Sequence, residues 1–169
     1  SGARMDKVVV RIADYRIAEA PATLVTYGLG SCVAVALYDT ETRMGGLCHI
    51  MLPSSSKARD SGNPKKFADI CISEMLEDME NRGCNVDRMV AKIAGGARMF
   101  DLPNKEKSSS IGERNRDAVL IELAKRRIPL IAEDTGENYG RTMEFHLGNG
   151  DMLVISLRGG TKVYRDEAL

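Results

Sequence analysis

The 169-residue chain carries 24 basic and 24 acidic side chains, so no global field points to nucleic acid or to an anionic membrane surface. With 43% hydrophobic and 28% charged residues it has the composition of an ordinary globular protein, long enough to bury a core as one domain spanning 1–169. No run approaches the roughly 18 apolar residues of a membrane span, and the opening SGARMDK lacks a signal-peptide layout, so the expectation is a cytoplasmic protein with no membrane insertion. Ser1-Gly2-Ala3 reads as a cloning remnant, and residues 1–5 are expected to lie outside the fold. The longest basic clusters, Lys65-Lys66 and Lys125-Arg126-Arg127, fit solvated helix faces better than a phosphate-binding stripe.

In chain order, KVVVRIADYRI alternates weakly and ATLVTY is a β-branched run ending at Gly28. CVAVALYD and MGGLCHIML are apolar runs on either side of TETR, which predicts a hairpin. Residues 53–63, PSSSKARDSGN, read as a mobile polar loop. Asn63 can cap a helix, Pro64 suits its first turn and Gly83 the residue past its end. Between them Ala68, Cys71, Ile72, Met75, Leu76 and Met79 mark one helix face. RMVAKIAGGARMF predicts a buried strand from Arg88 to Ala94 running into a glycine turn, and PNKEKSSS a further loop. A second helix is expected over Glu113 to Arg127, with Val119, Leu120, Leu123 and Ala124 as its apolar stripe. PLIAEDTG predicts a strand, and RTMEFHLGNGDMLVISLR a hairpin turning on Asn149-Gly150 as a type I′ pair. Strands at both ends with two main helices between them predict an α+β sandwich of β-sheet hairpins in a single domain.

Four cysteines stand at 32, 48, 71 and 84, with no C-x-x-C pair and no zinc-finger spacing, so free thiols, no metal site and no cofactor are expected. Cys32 differs from the others by its setting. It follows Gly28-Leu29-Gly30-Ser31, where glycines permit a tight turn whose Gly30 and Ser31 amides can form an oxyanion nest. If the hairpin closes on Thr40-Glu41, Cys32 stands directly opposite His49 on the same face, within proton-exchange reach. A bulge at Gly45-Gly46 would instead put the two on opposite faces. An imidazolium beside Cys32 would lower its thiol and supply a thiolate nucleophile, with Thr26 placed to hold the imidazole. The alternative stays open at this level, since a cysteine in an apolar strand is commonly a small core residue. Cys48, Cys71, Cys84 and His146 read as structural, AGGARMF as a tight turn, and Glu133-Asp134 as a turn with aspartate capping.

The segments VTYGLGSCVAVALYD, GGLCHIMLP, KFADICISEM, AKIAGGARMF, IGERNRDAV and AEDTGENYGR occur in this order from about Asp14 to about Leu157. In that combination the chain resembles CheD, the chemoreceptor glutamine deamidase family of bacterial and archaeal chemotaxis. The resemblance implies a Cys-His-Thr triad of Cys32, His49 and Thr26. It also implies a protein-glutamine glutaminase that converts glutamines of methyl-accepting chemotaxis receptors to glutamate through a cysteine thioester, releasing ammonia. Hydrolysis of receptor methyl esters is a further implied activity. A CheC-type phosphatase of CheY is an implied partner, and a chain acting mainly as a CheC-binding module is the rival reading. A general cysteine hydrolase is weaker, because no further residues mark a cleft for a backbone amide or an amine acceptor. One departure stands out: after EDTG the family often has a second glycine, where this chain has Glu137.

Overall fold

The structure is a computed structural model that describes residues 6–57, 62–99 and 110–165. Ten strands and two helices are seen among them, an α+β fold as expected. One sheet joins β1 (Lys7–Val9), β3 (Thr23–Leu29), β8 (Arg141–His146), β9 (Asp151–Ser156) and β10 (Gly160–Tyr164), in that order. The other runs β2 (Asp14–Glu19), β5 (Met44–Ile50), β4 (Val33–Asp39), β6 (Met89–Gly95), β7 (Leu130–Thr135). Helices α1 (Ala68–Asn81) and α2 (Ile111–Lys125) cover the outer face of the second sheet.

Three layers follow, with two cores. Between the sheets lie Leu24, Leu29, Met143, Phe145, Met152 and Val154, facing Ala34, Ala36, Tyr38 and Leu47. Between sheet and helices lie Val33, Val35, Leu37, Cys48 and Ile50 against α1 and α2. Strand β4 is buried on both sides, which is why its sequence is continuously apolar rather than alternating. The six α1 residues marked by periodicity are the six that are buried. Asn63 and Pro64 begin a separate 3-10 turn just ahead of α1, with Asn63 Oδ1 accepting from the Lys65 amide.

Both turns predicted between strands differ in detail. The β4–β5 connection is longer than a turn on Thr40-Glu41, because the Asp39 carboxylate accepts from the Glu41 and Thr42 amides and holds open a wider loop. Arg43 closes it at φ 58. The β4–β5 ladder is unbroken, so there is no bulge at Gly45-Gly46. Those glycines serve close packing: a Cβ at Gly46 would stand 2.8 Å from Met75 Sδ, and one at Gly45 would stand 2.5 Å from Leu147 Cδ2. At the β8–β9 turn, His146 pairs with Asp151, so four residues connect the strands and the two-residue type I′ turn is not formed. Gly150 takes φ 79, and the Asn149 carbonyl group of the side chain accepts from the Asp151 amide.

Helix α2 begins two residues before Glu113, because Ser110 accepts from the Glu113 amide as an N-cap. Its buried face contains Val119 and Leu123 as expected, whereas Ala124 is exposed and Gly112, Asn115 and Glu122 are buried. Strand β10 was not foreseen. Of the loops, residues 58–61 and 100–109 lie outside the described residues. No helix among the described residues is long and apolar enough to cross a membrane.

Candidate active site

Thr26 on β3, His49 on β5 and the Cys32 turn between β3 and β4 border the core between the two sheets. Thr26 lies on β3 and is fully buried. Its Oγ1 stands 2.7 Å from the Val10 carbonyl oxygen and 2.8 Å from His49 Nδ1. A hydroxyl has one hydrogen, and a carbonyl oxygen can only accept it. Thr26 therefore donates to Val10, and Nδ1 of His49 must donate to Thr26. This assigns the Nδ1–H tautomer and leaves the lone pair on Nε2. That atom is buried and has no hydrogen-bond partner among the described residues.

Burial holds the His49 imidazole down at about 4, so the ring is neutral at pH 7. The link from β1 to β2, which passes from one sheet to the other, closes this corner. Val10 receives the Thr26 hydroxyl, and three residues on the Ala13 amide donates to the His49 carbonyl.

The β4–β5 register corrects the expected pairing. His49 stands opposite Ala34, not Cys32, because the Asp39-capped turn lengthens the connection. The displacement is two residues along β4, so the parity is kept and Cys32 stays on the His49 face as its diagonal neighbour. Such a diagonal separates Cα atoms by about 7–8 Å, with side chains closer. The ladder ends at Val33–Ile50, and Cys32 lies just beyond it, half-buried at the edge of the inter-sheet core.

The expected resting thiolate is not supported. Burial pushes the Cys32 thiol up, and its own backbone amide offsets this only in part. With a neutral imidazole behind it, the pair rests as thiol and imidazole. The same rise affects Cys48, through the adjacent Cys71 thiol and burial, and Cys84 through burial. Titration does not distinguish Cys32; position and access do, since the other three cysteines are buried. Cys48 faces the helices, away from His49.

The turn before Cys32 has Gly28 at φ 70 and a Gly30 amide that donates to the Gly28 carbonyl. The Gly30 N–H is thus spent within the turn. Among the described residues the Ser31 and Cys32 amides donate to no carbonyl.

Sequence reasoning missed what supports this turn. Gly95 and Gly96 of AGGARMF take φ 114 and 63, and the Gly96 amide donates to the Cys32 carbonyl while Ala97 donates to Gly30. A paired-strand contact between the glycine-rich turn and the segment before Cys32 leaves no local sequence signal. Glu133-Asp134 is not a capped turn. Glu133 binds Arg116, and Asp134 is buried in an ion pair with Arg141 and receives the Tyr164 hydroxyl. His146 is held on the outer side by Thr23 and Glu144. Among the described residues no three His, Cys, Asp or Glu side chains are grouped as a metal site.

Residues 51–156 match the family model described as CheD chemotactic sensory transduction. A protein of Moorella thermoacetica named as a probable chemoreceptor glutamine deamidase CheD is 49% identical over 158 residues, covering 93% of this chain and 95% of that one. A protein of the same name in Syntrophomonas wolfei is 45% identical over 160 residues, covering 94% and 99%. In Caldanaerobacter subterraneus the figures are 44% over 160 residues, with 94% and 99% covered.

Proposed function

The chain belongs to the CheD family, and from that premise we propose that it deamidates glutamine side chains of chemoreceptors with Cys32 as nucleophile, His49 as base and Thr26 as the group that fixes the base. The observation that carries this reading is the Thr26–His49 bond. It commits Nδ1 as donor and leaves a bare, unpartnered Nε2 on the face that Cys32 shares.

The chemistry begins from a neutral pair. As the Cys32 sulfur attacks the glutamine side-chain carbon, its proton passes to His49 Nε2, and the carbonyl oxygen takes up negative charge. The Ser31 and Cys32 amides, which donate to no carbonyl among the described residues, would stabilise that oxygen, with Gly30 shaping the turn that carries them. His49 gives the proton to the departing nitrogen, the C–N bond breaks, and ammonia leaves behind a γ-glutamyl thioester. Water, giving its proton to Nε2, attacks the thioester carbon; the C–S bond breaks, the thiol is restored and glutamate is released. Thr26 stabilises the transient imidazolium by accepting from Nδ1 throughout. Desolvation makes that imidazolium unfavourable at rest, which favours prompt return of the proton to the leaving group.

Ammonia release and glutamine-to-glutamate conversion on a purified cytoplasmic receptor fragment test the proposal. Conversion by the native chain, lost in Cys32→Ala and in His49→Ala, is the expected result. Absence of conversion by the native chain would overturn it. The receptor's cytoplasmic region as substrate would place the reaction in the cytoplasm. Association with a CheC-type phosphatase of CheY is a second property proposed from family membership. Co-elution of purified CheC with the Cys32→Ala chain tests it separately from turnover.

A further inference from the structure

Ser31 and Met51 sit where strands β4 and β5 separate, one residue before Cys32 and two after His49. Their ladder hydrogen bonds stop at Val33–Ile50. The Met51 amide turns away to the Lys66 carbonyl, 2.8 Å distant. Between the two freed carbonyls stands the side chain of Asn115, fully buried on α2. Its Nδ2 donates to the Ser31 carbonyl and to the Met51 carbonyl, each at 2.9 Å. Both partners accept only, so the amide nitrogen, not the oxygen, must face them.

Asn115 approaches from the helix side of the sheet, opposite the face that carries Cys32 and His49. Its side-chain hydrogen bonds go to the Ser31 and Met51 carbonyls and not to either of those side chains. We infer that Asn115 is a positioning residue which spans the opened end of the β4–β5 hairpin and sets the approach of the Cys32 thiol to His49. This rests on the Cys32–His49 reading above.

Three observations support it. First, the bridge replaces the β4–β5 ladder at the point where Cys32 parts from β5, while the Cys32 carbonyl still receives the Gly96 amide on the β6 side. Second, α2 is seated tightly against the Cys32 turn and its support. A Cβ at Gly112 would stand 2.3 Å from the Ala97 carbonyl oxygen, and Ala97 in turn donates to Gly30. Arg98–Glu113 and Arg116–Glu133 ion pairs fix the same helix end. Asn115, one turn beyond Gly112, is held to that reference. Third, Asn115 Oδ1 is itself buried without a partner among the described residues. A buried amide with one end unsatisfied is a poor device for stability alone, since the desolvated acceptor offsets part of what the donor bonds contribute. Its donors are what the position requires.

The test reads the thiol–imidazole pair directly, without the receptor. Alkylation of Cys32 by iodoacetamide is followed by peptide mass spectrometry from pH 6 to pH 10 in the native chain, Asn115→Ala, Asn115→Asp and His49→Ala. The base accepts the thiol proton as the S–C bond forms and iodide leaves. Misplacing it should slow Asn115→Ala about tenfold or more at pH 7. The difference should close at high pH, where the thiol ionises without help. On the receptor fragment kcat falls while KM holds. Asn115→Asp, which sets a carboxylate against two carbonyls, should be slower still. If its thermal unfolding shows that it does not fold, Asn115→Ala carries the test. An Asn115→Ala chain with a lowered melting temperature but a native pH profile of alkylation would reduce Asn115 to a stability role and overturn the inference. Slow His49→Ala beside native-like Asn115 variants removes Asn115 alone. An unchanged rate in His49→Ala at pH 7 removes the Cys32–His49 pairing and the role of Asn115 with it.

Discussion

A Cβ placed on Gly95 would stand 2.2 Å from the carbonyl oxygen of Cys32. Nothing flexible lies between them: the clash is with backbone, and Gly95 also holds φ 114, a conformation that side chains rarely adopt. The end of β6 thus fits flush under the residue proposed to attack. Gly95→Ala is expected to cost about 2–3 kcal/mol of stability, from strain and overpacking together. Deamidation should fall further than stability does, because the displacement lands on the Cys32 backbone. Denaturant unfolding and ammonia release on the same preparations check both. A well-folded Gly95→Ala chain with native turnover would show that this contact does not position Cys32.

Thr26→Val removes the hydroxyl while keeping the branched shape. It leaves the Val10 carbonyl and His49 Nδ1–H unpaired in a buried site, at a cost of about 1–3 kcal/mol for each group. The imidazole loses the bond that fixes its tautomer, so kcat should drop on the order of 10²-fold, with little change in KM. Thr26→Ser keeps the hydroxyl and should retain most activity. Equal losses in both variants would show that packing of the threonine methyl, not the hydrogen bond, is what matters.

The elements with strong local signals were legible in the sequence. The α1 face followed from helical spacing alone, and β4 and β5 from two apolar runs. What determined the Cys32–His49 geometry was less visible. Asp39 looked like the end of a strand, yet its carboxylate caps the next two available amides and moves the register by two residues. Parity survived because the shift was even, so Cys32 kept its face while losing its partner. Thr26 was placed by proximity to the glycine turn, but its role as an acceptor depends on Val10, just past the end of β1. Gly95, Gly96 and Asn115 reach the Cys32 turn across sheet and helix packing. No local pattern announces such contacts, and only the assembled layers bring them together.

Glu137 occupies the position where glycine was expected from the family pattern, and it holds φ 60. The left-handed conformation explains that expectation: the turn after Gly136 asks for a residue without a Cβ penalty. Its carbonyl receives the Arg98 amide, a bond that any residue there can keep. Glu137→Gly should therefore stabilise the chain by about 1 kcal/mol, the relieved strain being reduced by the added chain entropy of glycine. For a domain of this size that is about 2–4 °C in Tm. Activity should not change. A lowered Tm would show that the Glu137 side chain makes a contribution larger than its strain.

His49 sets the last expectation, in acid. Its folded value of about 4 lies below the ordinary 6.5, because burial disfavours the charged ring. Between those values the unfolded chain binds a proton that the folded chain does not. Stability therefore rises with pH through this window: it is fully present above about 6.5 and lost progressively as pH falls towards 4. A shift of this size is worth on the order of 3 kcal/mol. Asp39 adds a second loss at lower pH. Burial alone would raise its carboxyl, but Arg88 and the amides of Asn85, Glu41 and Thr42 outweigh this and bring it to about 2. Denaturant unfolding at several pH values should show the first decline in the native chain and its absence in His49→Gln, with the Asp39 decline shared by both. Catalysis should follow the same ring. With the neutral imidazole as the proposed base, kcat/KM should stay level from pH 7 down to about 5 and fall near 4. A limb centred near 6.5 would mean that His49 is not desolvated in solution, and that the pair does not rest as thiol and buried neutral imidazole.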